Sequence, residues 1–159
     1  MIPIRDEIRT HIFPAINYLL IGLNVIVYVM MMFAGSAQET LVYQFAMIPA
    51  SFGNGVDFAD ISDIFTSMFM HAGFFHLAGN MLYLWIFGDN LEDRLGHFKY
   101  LLFYLLGGVF ASLAHVMTNP NSQIPTVGAS GAIAAGLGAY LVLYPKSRIL
   151  TFIPLGFFM

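Results

Sequence analysis

The sequence predicts an all-α, polytopic membrane helix bundle with four complete spans and the start of a fifth, and three observations carry that reading. Of 159 residues, 58% are hydrophobic and only 9% charged, against about 25% charged in an ordinary soluble domain, and the mean hydropathy is +0.76. The apolar residues fall in long blocks, unlike the short alternating runs of an outer-membrane barrel, so helices must satisfy the backbone inside lipid. All six basic residues fall between the blocks on one predicted side. The absence of Cys excludes disulfides, a thiolate nucleophile and cysteine-based metal sites. A net charge of −3 without any basic run gives no reason to expect nucleic acid as a partner.

Residues 1–14 form a short cytoplasmic N-terminal segment, mixed in charge through Arg5, Asp6, Glu7, Arg9 and His11. Pro14 suits the first turn of the helix that follows. Ala15 to Ala34 carries no charge, and about 20 residues at helical rise cross a hydrocarbon core of roughly 30 Å. A cleaved signal peptide is the rival, but its apolar part is only about 7–15 residues long. Asn17 and Asn24 share a face and should point into the bundle. Residues 35–70 hold four acids, Glu39, Asp57, Asp60 and Asp63, and no Lys or Arg. A connection of this length folds on itself or has a job, and Phe45, Met47, Ile48 and Phe52 suit it to the membrane interface.

The second span starts at Ser67 or Gly73 and ends at Gly88-Asp89-Asn90, with Asp89 to Lys99 as a charged turn. Tyr100 to Val116 is the third span, with Gly107, Gly108, Ala111 and Ser112 as its close-packing side. Asn119-Pro120-Asn121 marks a turn. Val127 to Tyr144 is the fourth span, stopped by Pro145, with Ser130, Ala134 and Gly138 on one face open to a neighbouring backbone. Ile149 to Met159 begins a fifth span, too short as it stands to cross.

Arg5 and Arg9 precede span one, Arg94 and Lys99 follow span two, and Lys146 and Arg148 follow span four. The positive-inside rule therefore places the N-terminus in the cytoplasm of an integral, multi-pass protein. Span two then starts from the non-cytoplasmic side with His76 and Asn80, and span four starts there with Ser130. Polar groups at that depth are functional candidates, against the plainer reading that each ties two helices together by a hydrogen bond. His71 lies nearer water and reads as structural.

Gly128-Ala129-Ser130-Gly131 sets one hydroxyl among residues too small to hide it, a nucleophile's setting that close-packed membrane helices also produce. Acyl transfer needs a nucleophile, a base and fixed donors for the oxyanion. Ser130 supplies the first, and His76, Asn80 and the Ser130 amide could supply the donors. No acid lies inside a span to orient a histidine, so a Ser/His dyad fits better than a triad. His115 is a weak local choice of base. No metal-ligand cluster of the H-E-x-x-H kind is present, and no cofactor is called for.

His71-Ala72-Gly73-Phe74-Phe75-His76-Leu77-Ala78-Gly79-Asn80, then Phe87-Gly88-Asp89-Asn90-Leu91-Glu92-Asp93, then Gly128-Ala129-Ser130-Gly131-Ala132-Ile133 resemble the rhomboid intramembrane serine proteases over most of residues 65–154. The resemblance implies a six-helix core, Ser130 as nucleophile, His76 and Asn80 as oxyanion-stabilising groups, and a base histidine on a sixth helix beyond Met159. Residues 15–159 would then be a rhomboid-like transmembrane domain, incomplete at its C-terminus, and these 159 residues alone should be inactive. The implied partners are transmembrane protein substrates and the lipid bilayer. The alternatives are a catalytically inactive rhomboid-like protein that binds transmembrane helices and, less well matched to the one-sided depth of His76 and Asn80, a small transporter.

Overall fold

The computed structural model describes residues 2–153. Its elements run β1 (Ile2–Asp6), α1 (Ala15–Phe33), α2 (Gln38–Phe45), α3 (Phe58–Ser67), α4 (Phe74–Tyr83), α5 (Asp89–Leu95), α6 (His97–Thr118), α7 (Ser130–Leu143) and β2 (Ile149–Phe152). Among the described residues two helices, α1 and α6, are long and apolar enough to cross a membrane, and α7 is a shorter apolar helix.

The long connection after α1 does fold on itself. Asp57 and Asp60 cap the start of α3 reciprocally, which satisfies two of the amides that a helix start leaves free. Thr66 Oγ1 donates to the Phe45 carbonyl, tying α3 back to α2.

The helix expected as the second span differs from its expected form at its far end. A π-helical turn, Leu84–Gly88, joins α4 to α5, so the predicted charged turn at Asp89 is instead helical through Leu95. Gly96, at φ +78, is what stops it, since that conformation is cheap only for glycine. The wider π turn leaves Gly88 against Asn17 and the Tyr100 hydroxyl, where any Cβ would collide. Asn17 and Asn24 are both fully buried, as their shared face predicted. Asn17 donates to the Leu84 carbonyl at 2.9 Å and accepts from Tyr100 at 2.8 Å.

Of the four residues expected on the close-packing side of α6, Gly107 and Ala111 meet α7 and Gly108 packs against Met68, while Ser112 lines a cavity. A Cβ on Gly107 would lie 2.8 Å from that of Ala135, and one on Gly131 2.5 Å from that of Ala111. The seam on α7 is therefore Gly131, Ala132 and Ala135, a correction to the face expected. Ser130 and Ala134 are exposed, and nothing approaches the Cβ position of Gly138. One residue along a helix turns the face by about 100°, and small residues line both faces of α7.

Ile149–Phe152 is a strand, not the start of a fifth helical span. It pairs antiparallel with β1, Ile2 opposite Phe152 and Asp6 opposite Ile149. Four apolar residues carry no period that separates strand from helix, and the backbone of β1 supplies the partner. Residues 154–159, to which the rest of that span was assigned, lie outside the described residues.

The starts of α1 and α6 and the ends of α5 and α7 gather at one end of the bundle. There Asp93 accepts from the amides of His11 and Ile12 at 2.8 and 2.9 Å, which holds its carboxyl below the usual range. Beside it burial pushes Asp89 up to about 6, against hydrogen bonds from the Asn90 and Asp89 amides and with help from Asp6. A raised folded-state pKa means that the folded protein holds a proton the unfolded chain releases between about pH 4 and 6. Its contribution to stability is present at the lower pH and is lost as pH rises through that window. Asp89→Asn should therefore flatten the slope of melting temperature between about pH 4 and 6, measured by circular dichroism in micelles.

Candidate active site

Gly128 brings the predicted residues together. Its φ of +123 lies where glycine is nearly alone, and its amide donates to the Ser67 carbonyl at 2.9 Å. A Cβ there would sit 2.7 Å from both Cε1 and Nε2 of His76 and 3.7 Å from Nδ2 of Asn80. So the first turns of α4 meet the loop that opens α7, from the same end of the bundle. His76 and Asn80 stand one helical turn apart on the face that points there. Asn80 is 8% exposed, and its Nδ2 has no hydrogen-bond partner among the described residues.

Ser130 is the first residue of α7 and is exposed. Its amide and that of Gly131 belong to the opening turn, whose N–H groups have no partner within the helix. The loop before it is strapped to the long connection. Thr126 donates to the Met47 carbonyl at 2.8 Å, and Ala50 donates to the Ser122 carbonyl at 3.0 Å. That connection, acidic and free of Lys and Arg, thus braces the loop that carries Gly128.

Behind Ser130 lies a cavity of about 190 Å³ whose lining includes Ser67, Ser112, His115 and Thr126. His115 therefore reaches the same space as Ser130, with Nδ1 3.4 Å from Asn119 Nδ2. Ser67 and Ser112 were not singled out for the site by the sequence. Each sits among apolar residues with no motif around it, and a shared cavity is a tertiary fact.

His71 is buried within the protein. It is 6% exposed, its ring centroid lies 5.1 Å from that of His76 in an edge-on contact, and neither ring nitrogen has a partner among the described residues. Among these residues no group of three or more His, Asp or Glu converges as a metal site would require.

Within the helical bundle, His76 and Asn80 from one helix thus face the Gly128-Ala129-Ser130-Gly131 start of another. The Rhomboid domain family profile matches residues 59–159, and the chain belongs to the rhomboid family, whose members are integral to the membrane. Among curated proteins it is 33% identical to rhomboid protease GluP of Bacillus subtilis over 137 residues, 85% of this chain and 26% of GluP. It is 40% identical to rhomboid-like protein 11, chloroplastic, of Arabidopsis thaliana over 98 residues, 59% of this chain and 34% of that one. Against the human presenilin-associated rhomboid-like protein, mitochondrial, it is 31% identical over 123 residues, 76% of this chain and 31% of the relative. The chain thus spans from about a quarter to two-fifths of the length of the curated relatives it matches.

Proposed function

We propose that this chain carries the nucleophile and oxyanion-binding part of an intramembrane serine endopeptidase, with four spans and a cytoplasmic N-terminus. The observation that carries the reading is the convergence on Gly128, two residues ahead of Ser130, of His76 and of the buried Asn80 amide, unpaired among the described residues. A donor kept unpaired in a buried place is costly, and an oxyanion formed beside it would repay that cost.

In this mechanism a substrate helix unwinds at the non-cytoplasmic leaflet and its carbonyl carbon meets Ser130 Oγ. The hydroxyl proton passes to a histidine base, which the resemblance assigns to a later helix, and then to the leaving amine. His76, Asn80 and the Ser130 amide stabilise the oxyanion, each donor by about 2.7–4 kcal/mol where it is well placed. Water from the cavity lined by Ser67, Ser112 and His115 then attacks the acyl-serine, releasing the carboxylic acid and restoring the hydroxyl. Cut sites should be rich in small or helix-breaking residues, because the scissile peptide must first leave its helical hydrogen bonds.

A fluorophosphonate probe on membranes holding the product of the complete reading frame tests this. Labelling is expected at Ser130 and should vanish in Ser130→Ala with insertion unchanged. An inserted but unlabelled wild type would overturn the protease reading in favour of a helix-binding relative.

A further inference from the structure

We propose that Asp6 is a positioning residue for this site, acting from the opposite end of the bundle by setting the register between the two helices that carry it. The proposal rests on the assignment of Ser130, His76 and Asn80 as the site.

Asp6 Oδ2 accepts two hydrogen bonds, from the Tyr140 hydroxyl at 2.6 Å and from Asn90 Nδ2 at 2.8 Å. Tyr140 lies on α7 ten residues beyond Ser130, and Asn90 lies on α5 ten residues beyond Asn80 along the same continuous helical run. One carboxylate oxygen therefore joins the inner ends of the two rods whose outer ends meet at Gly128, about 15 Å away at helical rise. Tyr140 and Asn90 are 1% and 0% exposed, so water does not compete for these donors. Asp6 is itself held in place by the pairing of β1 with β2.

The rest of the contact between these rods leaves their register soft. Apart from a long hydrogen bond from the Tyr144 hydroxyl, at the end of α7, to the Asn90 carbonyl at 3.3 Å, it is apolar, with the Phe87 and Tyr140 rings meeting edge to face at 4.9 Å, and the hydrophobic effect is non-directional where hydrogen bonds are directional. Removing the carboxylate strands neither donor completely. Tyr140 keeps Ser147 at 2.7 Å, and Asn90 keeps the Ile86 carbonyl at 3.1 Å and Asp89 at 3.0 Å. The expected result of Asp6→Ala is thus a folded protein with a loosened site. Because one oxygen takes both bonds, the carbonyl of Asp6→Asn can replace it.

The absence of cysteine from these 159 residues allows spin labels at Phe75 on α4 and Ala134 on α7, both exposed, in nanodiscs. The interspin distance distribution should shift or broaden by about 2 Å or more in Asp6→Ala, a scale on which catalysis is sensitive. It should return to that of the parent in Asp6→Asn. Tyr140→Phe, which removes only the α7 arm, should disturb the distance as Asp6→Ala does, and serves if the alanine variant fails to insert. A parental distribution in folded Asp6→Ala or Tyr140→Phe, or an asparagine variant as disturbed as the alanine one, overturns the proposal. The distance is read without any activity, so this failure is distinct from an unlabelled Ser130.

Discussion

Replacing Glu92 with alanine should destabilise the fold by about 3–5 kcal/mol, the range for removing one partner of a buried charged network. Pro14 precedes α1 and offers its first amides no side-chain acceptor. The carboxylate of Glu92, from α5 and fully buried, takes their place, accepting from Ile16 at 2.9 Å and Asn17 at 2.7 Å. Its charge also meets the positive end of the α1 dipole, and His97 Nδ1 pairs with the same carboxylate. Alanine would leave buried amides with neither protein nor water as acceptor. Glu92→Gln keeps one acceptor oxygen and should lose less. The check is thermal unfolding of both variants in micelles, and a melting temperature unchanged by the alanine substitution would refute this account.

Gly128→Ala should abolish reaction at Ser130 while leaving the bundle folded. The backbone there costs any other residue about 1–3 kcal/mol, and the added methyl would stand 2.7 Å from two atoms of the His76 ring. Either the imidazole or the loop must move, and about 1 Å of misplacement can cost 10²-fold in rate. The measurement is the rate of fluorophosphonate labelling in the product of the complete reading frame, beside circular dichroism to show the helices intact. Labelling at the wild-type rate would remove His76 and Gly128 from a shared site.

Much of this molecule was legible because its signals are local. A charge-free block of helical length reports an apolar helix by itself, and Asn17 with Asn24 reports a buried face by spacing alone. His76 with Asn80 works the same way, since one helix turn sets their mutual position whatever surrounds them. Gly88-Asp89-Asn90 misled for a related reason. It carries the residues of a turn, yet neighbouring Asn17 and Tyr100 fill the space above Gly88, and the chain continues as helix until Gly96.

The chain's own residues determined the helical blocks, the charge asymmetry between their ends and the types of group available for chemistry, because each depends on nearest neighbours or on composition. Tertiary structure alone decided that Ile149–Phe152 pairs with Ile2–Asp6, that α7 packs through Gly131 and Ala135, and that an acid from α5 caps α1. Those choices compare partners far apart in the chain, and only the folded packing sets which donor meets which acceptor.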